Sequence, residues 1–294
     1  MHSKIQSWLN VELPEGHCVG VQVSNEDECF PPSSHLDEEE EGGNTGNSMD
    51  QHNAILLPDF HWMKGIYHED EIMYAMTNLK KASRTSFWLG RLALRTALGF
   101  PNYPILKDEY GRPKLYRGSN IKEMLASISH KQDRGVALVA ASTTMDEDDH
   151  NNLILAGIGV DLELTSRPGR PSIAKRILTP SERNALGKNK LPNVNSKDEE
   201  VLLRFSLKEA IYKAAHPLLN QYVGFQEAEV TPHANGTATC QWMLQGDNAT
   251  LPDKRIAKLT VHWQRITEGD DKSDSEGYDF FLTTASAYTA GQAT

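Results

Sequence analysis
No apolar run in this 294-residue chain approaches the 18 or more residues that cross a bilayer as a helix, so no membrane contact is expected. Cysteine is scarce. Cys18, Cys29 and Cys240 are odd in number, scattered and never spaced as CxxC, which argues against a disulfide framework or a zinc knuckle and leaves buried or idle thiols. Surplus positive charge is missing too: the formal net charge is −10. Residues 1–53 hold eleven Asp/Glu against one Lys, so the other 241 residues balance 29 acidic with 29 basic side chains. A neutral body excludes a broad nucleic-acid surface while allowing a local basic pocket. The opening residues MHSKIQSWLNVELPEG carry neither the apolar core of a signal peptide nor the Arg-rich character of a transit peptide, so a cytoplasmic location is expected. No repeat occurs at solenoid or propeller periods.

What is present falls into short elements. Residues 11–23 read as a first strand behind a turn. From 24 to 53 the chain is acidic and poor in hydrophobes (DEEEEGG, GNTGNS), which predicts a disordered insertion. His61, Trp62 and His68 lack further ligand-type neighbours and receive no chemistry. Residues 69–98 read as a helical region broken around 78–83. In its second part Arg84, Arg91 and Arg95 recur at sevens and fours along one edge, either an anion site or a basic solvated face. The turn DEYGRPKL at 108–115 precedes ASISHKQDRGVALVAAS, read as a strand, a turn at 133–135 and a strand at 136–141. Within the first of these, Ser127 and Ser129 face one way, Ile128 and His130 the other. The acidic stretch 145–152 reads as a solvated loop. Thr179, Pro180 and Glu182 form a helix start of capping-box type, and 222–294 reads as a small antiparallel sheet.

Two elements carry chemistry. In LILAGIGVDLEL (153–164) Ile158, Val160, Leu162 and Leu164 alternate with Gly157, Gly159, Asp161 and Glu163. Two carboxylates on one face, beside two residues without side chains, predict open space against the sheet and hard oxygen ligands suited to magnesium. The alternative is a half-exposed strand with a polar face. Residues 201–219 predict a helix whose core stripe is Leu203, Leu207, Ala210, Ile211, Ala214 and Leu218. On its other face Glu209 and Lys213, four apart, sit among Leu202, Phe205 and Tyr212, as in a helix covered on both sides, so Glu209 is expected in a cleft; an exposed ion pair is the plainer alternative. Strand carboxylates, a helix carboxylate with its lysine, and upstream basic residues are the parts that metal-assisted transfer at a phosphate requires.

At this point the motifs GIGVDLE (157–163), IAKRILTPSE (173–182) and FSLKEAIYKA (205–214), preceded by YGRP (110–113) and ASISH (126–130), resemble the 4'-phosphopantetheinyl transferases of the surfactin and enterobactin type. They occur in that family's order. RTSFWLGRLALR (84–95) is similar to its basic helix, and the LPEG segment looks like the enterobactin branch. Phe205 stands where the family usually has Trp, and no arginine falls around Met73 to Met76.

The resemblance implies a mixed α/β (α+β) fold with two similar halves about a pseudo-twofold, divided as 1–155 and 156–294, and coenzyme A in the cleft between them. It implies Asp161, Glu163 and Glu209 as Mg²⁺ ligands and Glu209 as the proton acceptor. Lys213, His130, Ser129 and Arg112 would bind coenzyme A phosphates, with Lys107, Arg84 and Arg91 nearer the nucleotide 3'-phosphate. The acceptor would be a serine of an apo acyl or peptidyl carrier protein, modified by a monomer. A non-catalytic coenzyme A or carrier-binding module and a metal-dependent nuclease are the alternative readings.

Overall fold
The computed structural model describes residues 5–23, 65–115, 124–142, 144–146, 152–166, 171–246, 249–267 and 279–291. The expected insertion at 24–53, His61, Trp62 and Cys29 lie outside them. The chain opens with a hairpin of β1 (Ile5–Leu13) and β2 (Gly16–Val23), so residues 5–10, unassigned from sequence, are also strand, and the stretch 11–23 is divided between two strands. Gly16 makes the turn at φ +142°, where a side chain would strain the backbone. Helices α1 (Glu69–Asn78) and α2 (Lys81–Ala97) follow, with the break between them where the sequence indicates it. His68, given no chemistry above, caps α1 by accepting the Asp70 N–H. The short β3 (Leu106–Lys107) and β4 (Pro113–Lys114) pair around the YGRP turn. Next come β5 (Met124–Lys131), β6 (Arg134–Ala141) and β7 (Thr144–Asp146). Residues 145 and 146, the start of the expected acidic loop, pair instead with the next strand, β8 (Asn152–Leu164), which begins at that loop's last residue.

Helices α3 (Pro171–Ile177), α4 (Pro180–Ala185) and α5 (Lys197–Leu219) come next. The Thr179–Glu182 capping box is closed in both directions. Helix α5 starts at the Ser196 cap and runs through Pro217, ending at Asn220 in the left-handed conformation. After a 3₁₀ turn at Phe225–Glu227 the chain adds β9 (Ala228–Pro232), β10 (Ala238–Trp242), α6 (Leu251–Arg255), β11 (Lys258–Thr267) and β12 (Asp279–Ala290). Only β9 and β10 make the separate small sheet expected from the C-terminal sequence. Strands β11 and β12 complete the sheet of β8.

The two main sheets repeat one plan. Their orders are β1-β2-β6-β5 and β7-β8-β12-β11, every neighbour antiparallel, with the long helix following the second strand in each case. This is the mixed α/β, two-halved arrangement the sequence leads one to expect. By sheet membership the division falls between β6 and β7, whereas the expected boundary at 155/156 lies inside β8. Helix α2 buries its apolar face on the first sheet and α5 on the second. The opposite sheet faces share a third core, in which Leu125, Val136 and Leu138 meet Ile158, Val160, Leu162 and Phe280. The layers therefore run helix, sheet, sheet, helix. Among the described residues no helix is long and apolar enough to cross a membrane. Cys18 and Cys240 are free, their thiols pushed up to about 12, chiefly by burial, in keeping with idle thiols.

Candidate functional site
Strand β8 alternates as its sequence requires, with Val160 and Leu162 in the inter-sheet core and Asp161 turned to α5. The glycines beside Asp161 serve a purpose different from the one read in the sequence. A Cβ on Gly157 would lie 2.1 Å from Ala214 O, and one on Gly159 1.9 Å from Ala210 O. The space they leave belongs to the backbone of α5, not to a ligand. Side-chain-free positions let the helix settle against the strand, and Lys213 then donates to Asp161 Oδ1 at 2.9 Å and to Val160 O at 2.8 Å.

Strand β5 closes the site from the first half. The Ser127 hydroxyl accepts the Val160 N–H at 3.0 Å, and the Ser129 hydroxyl accepts the Leu162 N–H at 3.3 Å. Side chains thus substitute for a backbone ladder along this seam. Ser129 also donates to Asp161 Oδ1 at 2.9 Å, and Ser206 of α5 donates to Oδ2 at 2.9 Å. Lys131, at the end of β5, forms an ion pair with Glu163. The carboxyl of Glu163 is raised above its ordinary range by burial and by Asp161, against the pull of Lys131 and Lys213. Glu209 is raised likewise, by burial first and then by Asp161, with Lys213 opposing, and it has no hydrogen-bond or ion-pair partner among the described residues. His130 is exposed at the strand end and held below the usual histidine range by desolvation and by Lys213, against Asp161.

Asp161, Glu163, Glu209, Lys213, Ser129 and His130 are therefore electrostatically one group. Among the described residues no three His, Cys, Asp or Glu side chains are gathered as a ready-made metal cluster. The chemistry of the donors nevertheless suits a hard divalent cation: all are carboxylate oxygens, and ammonium groups already stand in for positive charge on Asp161 and Glu163.

Three cavities line up along α5. One holds Arg112, Tyr110 and Lys213; the next holds Glu209 and shares Tyr212 and His216 with the first. The third, of ≈ 690 Å³, holds Glu163, Lys131 and Arg176 and shares Tyr222 with the second. Arg112 pairs with Asp108 at 2.8 Å, so it enters the groove from a held position.

The other basic candidates stand elsewhere. Arg84 donates to Leu79 O and Met76 O, satisfying the end of α1. Arg91 is 2% exposed, donates to Ile105 O and packs over Phe87, and burial brings it down to about 10. Arg95 is buried on Glu71 at 2.6 Å. The arginine edge is thus neither a solvated face nor an open anion site. Lys107 is exposed on β3. Three participants were not singled out from sequence: Lys131, Ser206 and Thr283, the last with its hydroxyl 2.9 Å from that of Ser206. Two of them had a signal: Lys131 directly follows His130 of the β5 motif, and Ser206 lies inside FSLKEAIYKA.

Against known proteins, residues 157–262 match the family model described as the 4'-phosphopantetheinyl transferase superfamily. That span contains Asp161, Glu163, Glu209 and Lys213. No curated protein sequence shows a significant match. Among solved structures, holo-ACP-synthase from Plasmodium yoelii is similar at 17% identity, covering 48% of this chain and 99% of its own, with a TM-score of 0.33. A holo-(acyl-carrier-protein) synthase from Bacillus anthracis in complex with CoA (3',5'-ADP) is similar at 23% identity, covering 46% and 98%, with a TM-score of 0.30.

Proposed function
We propose that this cleft transfers the 4'-phosphopantetheine group of coenzyme A to a serine hydroxyl of an apo acyl or peptidyl carrier protein, releasing 3',5'-ADP. The observation that carries the reading is the convergence of Asp161, Glu163, Glu209 and Lys213 at one junction, inside the span that matches the family model. Asp161, Glu163 and Glu209 would hold Mg²⁺, which when bound draws charge from the pyrophosphate.

The residues divide the remaining work. In the reaction the serine oxygen bonds to the pantetheine-side phosphorus, the bridging P–O bond breaks, and the leaving phosphate departs as part of the nucleotide. Glu209, made more basic by burial and by Asp161, takes the serine proton. Lys213 and Arg112 line the cavity nearest the YGRP turn and bind phosphate oxygens there; His130 stands beside Lys213. Ser129 supports this contact through Asp161. Arg84 contributes by holding α2 to the end of α1, and the buried Arg91 by holding α2 to the segment at Ile105.

The test is intact-mass measurement of several apo carrier proteins incubated with the chain, coenzyme A and Mg²⁺, with EDTA as control. The expected result is a phosphopantetheine mass gain that disappears with EDTA and in Glu209→Gln, a variant that removes a charge without removing volume. Coenzyme A binding without a mass gain on any carrier would replace this reading with that of a binding module; cleavage of DNA would replace it with that of a nuclease.

A further inference from the structure
Asp161 has more donors than an ion pair requires. Oδ1 takes Ser129 at 2.9 Å and Lys213 at 2.9 Å, while Oδ2 takes Ser206 at 2.9 Å. Behind Ser206 stands Thr283, whose Oγ1 is 2.9 Å from Ser206 Oγ and 2.9 Å from Ser206 O. An ionised carboxylate only accepts, so the single Ser206 hydroxyl proton goes to Asp161. The single Thr283 hydroxyl proton goes to Ser206 O or is shared between that carbonyl and Ser206 Oγ, and either way it ties Ser206 to β12. Ser206 and Thr283 are both fully buried, at 0% exposure. Thr283 is also the direct partner of Asp161 across the β8–β12 ladder, so strand register sets where the chain begins.

We propose that Ser206 and Thr283 are positioning residues that fix the rotation of the Asp161 carboxylate. The physical need is specific. The terminal torsion of an aspartate is broad, and Lys213 and Ser129 hold only one oxygen, about which the other can swing. Ser206 anchors that second oxygen, and Thr283 holds Ser206 in place from behind, through its carbonyl and hydroxyl oxygens. A carboxylate offers about four lone-pair positions, and three are taken, so one remains and the hydroxyl chain determines where it points. This inference rests on the reading of Asp161 as a metal ligand; neither hydroxyl touches substrate.

The experiment uses the full chain and Mn²⁺ as probe, titrated by calorimetry, alongside transfer kinetics. Ser206→Ala is expected to weaken Mn²⁺ binding by about 10-fold or more and to lower kcat while KM for coenzyme A stays within twofold, in line with the effect of groups that orient metal ligands. Thr283→Val, which keeps shape and removes the hydroxyl, shifts both in the same direction, and Thr283→Ser restores them. Should Ser206→Ala fail to fold, the Thr283 pair decides. Mn²⁺ affinity and kcat within twofold of the parent in Thr283→Val would overturn the proposal. A parent chain that binds Mn²⁺ but modifies no carrier would refute the transfer reading alone, with the Mn²⁺ comparison still deciding the positioning role. A parent that binds no Mn²⁺ would overturn the positioning role with the metal reading.

Discussion
Replacing Gly159 with alanine tests the central packing argument. The added carbon would stand 1.9 Å from Ala210 O, 2.9 Å from Ala210 C and 3.0 Å from Ala214 N, all backbone atoms that cannot rotate away. Restoring ordinary contact requires strand and helix to part by about 1.5 Å. Overpacking of this kind costs roughly 1–3 kcal/mol. The parting also stretches the 2.9 Å and 2.8 Å bonds of Lys213, and a charged hydrogen bond contributes roughly 1.5–3 kcal/mol. A total of about 2.5–6 kcal/mol follows, which at roughly 2–4 °C per kcal/mol lowers Tm by about 5–24 °C. The displacement moves Glu209 and Lys213 relative to Asp161, and a misplacement near 1 Å lowers turnover by about 100-fold. Urea denaturation, calorimetric melting and the carrier-modification rate measure all three. A folded Gly159→Ala chain within about 1 kcal/mol of the parent and with at least half its rate would refute the view that the glycine exists to seat the helix.

Two further outcomes are expected. Lys208 is buried and donates to Glu182, Ile177 O and Phe225 O, so Lys208→Met leaves Glu182 charged and underpaired and lowers stability by about 3–5 kcal/mol in urea denaturation; a loss under about 1 kcal/mol would contradict this. His216 is held below the usual histidine range by desolvation first and by Arg112 second, with Asp108 opposing. Its contribution to stability is therefore present above the unfolded-state pKa and lost as pH falls through the folded one. Arg112→Gln removes the second influence, so the His216 NMR titration midpoint should move up; an unchanged midpoint would sever the electrostatic link between the YGRP turn and α5.

The alternation of β8 was legible because a strand's faces follow from a period of two, and the start of α4 because capping chemistry is local. The second occupied face of α5 was legible from its apolar residues, but its buried ions were not. Lys208 meets Glu182 from 26 positions away, and Arg95 meets Glu71 from 24, so no window of sequence reveals that these charges neutralise one another. The glycines were misread for a related reason. Sequence shows that space exists beside Asp161 but not whether a ligand or the chain itself fills it. Arginine spacing shows one helix edge without showing which way that edge faces, and for Arg91 and Arg95 it faces inward.

The seam between β5 and β8 has a consequence for assembly. Hydroxyls two residues apart on β5 meet amides two residues apart on β8. A slip of one position would present Ile128 and His130 to those amides and leave both without acceptors, at roughly 1–3 kcal/mol each. Docking of the two halves is therefore discrete, like teeth on a rack. The alignment is written in the strands themselves and not in the length of chain that joins them.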